Sequence, residues 1–555
     1  MNRWGAAKSA GIGVLTALLF VLASDLELSK TVESRTLDTR FRLSGARSAT
    51  SPLAIVFIGD DSIEAFGRWP WSWEYHALLV DVLARAGARR IFFDILFTEK
   101  PADGTAPLFA GMAARAKNVY FSSYFDNVEP GRGGAAPFPS GRALKTPVPE
   151  LRRIAAGLGH CNTQPDSDGS VRRLPLIIRH EGGLYPAAPL LLATEMLGIP
   201  LSAAALSRDG RHLELTLASG ATASVPVDAG GQTPVNYFGG LESFSAYSFR
   251  QVLQADQHPD RAVIPLDVFK DKTVLVGATF AGNAALRPTP FSNAFPMTVV
   301  HATMLENLLT ADFIHTPSRP VVLALWILLG GGVGVVTFLF RPLVSLALSA
   351  AAGSAYLAGT IAGFSWYRWN VELVGPLLTI AATYTIVTAV RYFSVDRDAR
   401  TIRTMFSSYL TERVVKELIA HPELAALGGE RREVTVLFAD IWGFTTFSEK
   451  HTAEEVVARL NEILDVMTLA IIRWEGTLDK FIGDAIVAFW GAPLQQPDHA
   501  KRAVRCALDM SRRLDDLQRR WELEGRERLE MGIGINTGEV IVGNIGSAAG
   551  RWTTR

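Results

Sequence analysis

Asp440 follows the apolar run Val434, Val436, Leu437 and Phe438, and Asp484 sits in a Gly483-Asp484 turn between two strand-like runs, 477–482 and 485–490. A Gly-Asp pair between such runs predicts a β-hairpin. If the hairpin lies beside the strand that ends at Asp440, two carboxylates converge on one point, which is the oxygen-donor arrangement that two hard divalent cations require. Between them Gly443, Phe444 and Thr445 open a loop ahead of a helix, where backbone N–H groups can face a phosphate. An aspartate at one strand end usually does no more than cap a turn. The pair, with the loop between, points to cation-assisted phosphate chemistry.

The stretch from Ser407 to Gly546 resembles the catalytic domain of class III nucleotidyl cyclases. The likeness runs through FSSYLTERVVKEL, VTVLFADIWGFTTFSE, LDKFIGDAIVAFWGAP, AKRAVRCALDM and GIGINTGEVIVGNIGS. It implies an α+β, ferredoxin-like fold and an adenylate cyclase that converts ATP to cyclic AMP and pyrophosphate. By the same resemblance Asp440 and Asp484 bind two Mg²⁺ or Mn²⁺ ions per active site, with the backbone carbonyl of Ile441 as a further ligand. One ion would activate the ribose 3′-hydroxyl and both would hold the triphosphate. Lys480 matches the position that selects adenine, where a guanylate cyclase usually carries Glu. An ammonium donates to the acceptor N1 of adenine, whereas the N1–H of guanine prefers a carboxylate. An ordinary solvated strand lysine is the other reading of Lys480. The family's active site is shared between two subunits, so a homodimer, or a heterodimer with a complete cyclase, is expected.

Beyond GNIGS the chain runs Ala548 to Arg555, AAGRWTTR, and there it departs from the family. A cyclase continues through a strand with a second adenine-reading residue and a helix whose Asn and Arg bind ribose and stabilise the transition state. The expectation is a cyclase domain over 430–547 that lacks its last elements, followed by a non-family tail at 548–555. Loss of one such donor commonly costs about two to three orders of magnitude in rate. The alternative reading is therefore a catalytically inactive sensor or regulatory subunit that acts only with a complete cyclase partner. A diguanylate cyclase is disfavoured because the hairpin reads FIGDA and lacks a GGDEF or GGEEF turn.

The rest of the chain must position these groups. Its 555 residues are 48% hydrophobic, with 55 Lys+Arg against 55 Asp+Glu, so no global charge points to nucleic acid. Apolar segments at 10–26, 320–340, 343–364 and 371–390 are of the order of the roughly 20 residues that cross a bilayer. The first follows Arg3 and Lys8 and precedes Asp25 and Glu27 without a convincing small-residue cleavage site. It reads as an uncleaved signal anchor in preference to a cleaved signal peptide. Arg341, Arg391, Arg397 and Arg400 mark the cytoplasmic side, and Trp366, Tyr367 and Trp369 mark an interface. This puts residues 1–9 inside, 27–318 outside the cell (inner) membrane, and the cyclase-like part inside with ATP.

Region 27–318 reads as one α/β domain. LAIVFIGDDS, EYHALLVDVLARAG and ARRIFFDILF follow a strand–helix–strand pattern, and KTVLVGAT precedes the helix-like VVHATMLENLLTA. From Glu33, Asp38 and Arg40 through GRWPW and NTQPDSDGSVRR to HATMLENLL, the region resembles the second class of CHASE extracellular sensory domains. The resemblance implies an extracytoplasmic ligand of unknown identity. Asp60, Asp61 and Asp94 suggest an acidic metal site. PDSDG at 165–169 lacks the spaced ligands of an EF-hand and reads as a turn. Trp69, Trp71 and Trp73 either pack a core corner or line a ligand cleft, with packing slightly favoured. His160 and His301 lack metal-like spacing and read as structural. Cys161 and Cys506 fall on opposite sides of the membrane, so neither a disulfide nor a zinc site is expected.

Sensor and output are joined by a helical linker, 394–429. Ile402, Met405, Phe406, Tyr409, Leu410, Val414, Val415 and Leu418 recur at helical spacing, which predicts pairing with a second copy and signal transfer by a shift between the two helices.

Overall fold

The computed structural model describes residues 3–131, 138–207, 210–216, 222–258, 260, 263–280, 286–406 and 428–544. The chain divides into two units, Met1–Thr388 and Ala389–Arg555. The first begins with two helices, α1 (Arg3–Ser24) and the polar α2 (Glu27–Ser44).

Six segments then become parallel strands: β1 (Leu53–Ile58), β2 (Arg90–Phe93), β3 (Val119–Glu129), β4 (Gly157–His160), β5 (Ser245–Ser248) and β6 (Thr273–Ala278). They pair in the order β5–β1–β6–β2–β3–β4. A parallel sheet needs cover on both faces, which is why the central strands β1, β2 and β6 are largely apolar. Alternation sends Ile55, Phe92 and Leu275 to one face and Val56, Phe93 and Val276 to the other. The second set packs on α3 (Trp73–Arg85) through Val80 and Leu83. The first set packs on α4 (Ala188–Leu197) through Leu190 and on α6 (Met297–Thr310) through Val300 and Leu305. Between these in the chain, α5 (Phe249–Gln257) adds Val252 to the α3 side.

Three long helices close the unit: α7 (Arg319–Leu339), α8 (Pro342–Tyr367) and α9 (Val374–Phe406). Among the described residues four helical stretches are long and apolar enough to cross a membrane, Gly5–Ser24, Arg319–Leu339, Pro342–Tyr367 and Val374–Phe393. The last starts at Val374, three residues later than the sequence suggests, because Glu33 of α2 holds its beginning. The Glu33 carboxylate accepts the N–H groups of Leu373 and Val374, each at 3.0 Å, while Arg40 donates to the Val371 carbonyl at 2.9 Å. A carboxylate is favoured at a helix N-terminus. Helices α1 and α7 touch backbone to backbone: a Cβ added at Gly13 would lie 2.0 Å from the Gly330 carbonyl oxygen. Small residues of this kind let membrane helices approach closely.

The PDSDG segment is a turn. The Asp166 N–H donates to the Ser170 carbonyl, and Gly169 takes a φ of +83°. Its carboxylates face Arg172, whose side chain is only 5% exposed and pairs with Asp38 of α2 at 2.7 Å, Asp166 at 2.9 Å and Asp168 at 2.8 Å. Hydrogen bonding to Arg172 holds the Asp168 carboxyl down to about 2. Because that folded value lies below the ordinary carboxylate range, the stabilisation is complete above about pH 4 and is lost as pH falls towards 2. Removing one partner of a buried ion cluster strands the others, so Arg172→Met should destabilise the unit by about 3–5 kcal/mol. A denaturant or thermal melt of the purified chain that leaves this variant at wild-type stability would refute the role.

The second unit folds as β7 (Gly428–Ile441), α10 (Phe444–Lys450), α11 (Ala453–Arg473), β8 (Thr477–Ile482), β9 (Ala485–Trp490), α12 (His499–Leu523) and β10 (Met531–Asn544). The sheet order is β8–β9–β7–β10, antiparallel throughout. This βαββαβ arrangement is the ferredoxin-like one expected. Thr452 and Glu455 form a capping box that starts α11. One sheet face is covered: Leu437, Ala439 and Ile441 pack on Ile463 and Met467 of α11 and on Cys506 and Met510 of α12. The other leaves Phe438 54% and Ile482 56% exposed. Of the linker stripe, Ile402, Met405 and Phe406 lie in the final turns of α9. Tyr409, Leu410, Val414, Val415 and Leu418, and the tail 548–555, lie outside the described residues.

Candidate active site

Asp440 is the penultimate residue of β7 and, two residues on from Phe438, shares its open face. The hairpin turn of β8 and β9 is the expected two-residue one, Ile482 opposite Ala485 with Gly483 at a φ of +65°. Because β9 pairs with β7 in a register that sets Ile486 opposite Ala439, that turn reaches the end of β7. The two carboxylates therefore meet. The Asp484 carboxyl is pushed up from its ordinary value, first by burial and then by the charge of Asp440, while the Ile441 backbone N–H works in the opposite direction. A carboxyl raised in this way by burial and by a facing carboxylate marks a site short of positive charge.

The intervening loop is short. Gly443 takes a φ of +68° at the N-terminus of α10, a backbone conformation that side chains with a Cβ rarely adopt. Phe444 is half-buried and packs towards Phe447 with ring centroids 6.2 Å apart, whereas Thr445 is exposed.

Lys480 reaches the same open face by an irregularity. Pairing runs Leu478 opposite Ala488 and then Lys480 opposite Val487, so Asp479 is the extra residue of a bulge. Phe438, Val487 and Lys480 form one cross-strand row. Lys480 thus shares a face with Asp440, two strands away, about 10 Å by strand spacing. Its Nζ lies 3.3 Å from an oxygen of Asp479, whose side chain is only 3% exposed. Asp479 was not legible in the sequence, because alternation cannot place a bulged residue. Beside this row the open face forms a hollow of about 480 Å³ lined by Val436, Phe438, Ile535, Asn536, Glu539 and Val540.

In the first unit the expected acidic trio separates. Asp61 accepts from the hydroxyls of Ser62 and Ser248, while Asp94 accepts from Thr298 Oγ1 at 2.7 Å. His301, which lacks metal-like spacing in the sequence, gains neighbours in space. His301, Cys161 and Asp94 come together from three distant segments, with one ligating atom of each within 4.8 Å of the others. His160 stays buried without a ring-nitrogen partner. Trp71 and Trp73 are 5% and 6% exposed in the core, in keeping with the packing reading, and with Trp69 they border a hollow of about 720 Å³.

Comparison with known proteins gives these observations a family. The CHASE2 domain family matches residues 13–336, more than half of the chain, and the family described as "Adenylate and Guanylate cyclase catalytic domain" matches residues 429–553. "Adenylate cyclase 1" of Rhizobium meliloti (strain 1021) is 35% identical over 142 residues, which are 26% of this chain and 21% of that protein. The chain thus spans about a fifth of that relative's length. The solved guanylyl cyclase Cya2 is 46% identical over 23% of this chain and 65% of its own, with a TM-score of 0.22. The adenylyl cyclase CyaB from P. aeruginosa is 36% identical over 23% of this chain and 67% of its own, also with a TM-score of 0.22. The chain belongs to the CHASE2 domain family and joins that domain to a class III adenylate and guanylate cyclase catalytic domain.

Proposed function

We propose that this protein is a receptor-type adenylate cyclase, forming cyclic AMP and pyrophosphate from ATP in response to an extracytoplasmic signal received by its CHASE2 domain. The observation that carries the reading is the meeting of Asp440 and Asp484 on the open sheet face that also bears Lys480. The two carboxylates, with the Ile441 carbonyl, are an all-oxygen donor set that fits Mg²⁺ or Mn²⁺, and the mutual repulsion of the pair is what a cation relieves. Two such ions, when bound, supply Lewis acidity to the 3′-hydroxyl and the triphosphate. Gly443, Phe444 and Thr445 present backbone N–H groups to phosphate, and Lys480, steadied by Asp479, donates to adenine N1. The exposed Phe438 and Ile482 suit a second cyclase domain, as a homodimer or with a complete cyclase partner, since exposed apolar surface of this kind marks protein interfaces. The four apolar helices, with Arg341 and Arg391 at the ends next to the cytoplasm, support a cyclase domain on the ATP side.

Purified chain supplied with Mn²⁺ and ATP or GTP, alone and mixed with an Asp440→Ala copy of a complete cyclase, should form cyclic AMP from ATP. Asp440→Asn should cut that rate by about 100-fold or more, because several kcal/mol of charge stabilisation are lost. Lys480→Glu should move preference towards GTP. No cyclic nucleotide in any mixture would overturn the reading.

A binding measurement separates metal capture from turnover. Because the Asp484 carboxyl is raised in the folded protein, its charged form is a liability at neutral pH that eases as pH falls through the raised value. Asp484→Asn should therefore match or exceed wild type in metal-free thermal stability at pH 7 and lose the Mn²⁺-dependent rise in Tm. A Tm rise that survives the substitution would exclude this pair as the ion site.

A further inference from the structure

Outside the cyclase unit, three elements of the CHASE2 domain end at one point. Asp94 is the first residue after β2, Cys161 is the first after β4, and His301 lies in the second turn of α6. A carboxylate oxygen, the thiol sulfur and a ring nitrogen from these three all lie within 4.8 Å of one another. His301 is 1% exposed, and neither Nδ1 nor Nε2 has a hydrogen-bond partner. An unsatisfied buried polar group costs on the order of 1–3 kcal/mol, and most native ones are paired. Its neighbours in the cluster can ligate an ion but leave these ring nitrogens unpaired.

The surroundings are built as a ligand site is built. Thr298, on the same helix as His301, donates to one oxygen of Asp94 at 2.7 Å, which fixes the carboxylate and leaves its other oxygen for a ligand. Hydrogen bonds of this type orient metal ligands. The Cys161 N–H is tied to the Ser123 carbonyl at 3.0 Å, which anchors the thiol-bearing residue to β3. All three side chains border the 720 Å³ hollow, which lies at the carboxyl ends of the parallel strands. Open sheets of this type receive their ligands there.

The donor types select the ion. Thiolate, imidazole and carboxylate together suit Zn²⁺ and neighbouring borderline ions, whereas Mg²⁺ and Ca²⁺ prefer oxygen alone. We propose that Asp94, Cys161 and His301 bind a divalent transition-metal ion, best fitted by Zn²⁺, with an open coordination position facing the hollow of the CHASE2 domain. On binding, the Cys161 S–H bond breaks, a sulfur–metal bond forms and the proton leaves to solvent. The site is independent of the cyclase carboxylates, so it stands whether or not the chain makes cyclic AMP.

The probe is Co²⁺, added to purified full chain stripped of metal and carrying Asp440→Asn and Asp484→Asn to silence the cyclase pair. A thiolate-to-cobalt charge-transfer band should saturate at one equivalent per chain, and Zn²⁺ should displace it. Cys161→Ala should abolish the band, His301→Gln should weaken Co²⁺ binding at least tenfold, and Cys506→Ala should leave the band intact. If Cys161→Ala does not fold, Cys161→Ser keeps the side-chain size and should still lose the band. No band in the parent chain, or a band that survives replacement of Cys161, overturns the proposal.

Discussion

Charge buried on α2 is the constraint around which the first unit is organised. Asp38 and Arg40 are 8% and 1% exposed on a helix whose composition is mostly polar. A desolvated ion is tolerable only when partners surround it. Asp38 finds Arg172 in the sensor core, while Glu33 and Arg40 find the backbone at the start of α9. One helix therefore ties the parallel sheet to the last membrane-compatible helix by directional bonds, which locate both ends far more narrowly than apolar contact does. The start of α9 and the conformation of the PDSDG turn both follow from these pairings.

The two units solve the covering of a sheet differently, and their sites follow from the difference. The parallel sheet is buried on both faces, and at its carboxyl edge Asp94, Cys161 and the tryptophans border a hollow. The antiparallel sheet of the second unit packs helices on one face only. Its open face carries Asp440 and Lys480 together with the exposed apolar Phe438, so charged groups and apolar surface share one face. Such a surface is suited to a site completed by a second domain.

What could be read directly from the residues was local. The Gly483-Asp484 hairpin, the strand running into Asp440 and the PDSDG turn were legible because turn chemistry acts over two to four residues. The four apolar stretches and the strand–helix alternation of the CHASE2 domain were legible because hydrophobic periodicity is a property of a single segment.

Only the tertiary structure decided the rest, and in each case the reason is a contact between residues distant in the chain. The bulge at Asp479 sets which face Lys480 takes, since one extra residue inverts alternation and nothing in the LDK segment announces it. Glu33 sets where α9 begins from some 340 positions away. Asp94, Cys161 and His301 have no spacing that a sequence motif could register, because three separate segments of the fold bring them together. The sequence by itself determined that Asp440 would end a strand and that Asp484 would sit in a hairpin turn. The fold decided which charges face one another, because electrostatic pairing depends on distance in space and not on position along the chain.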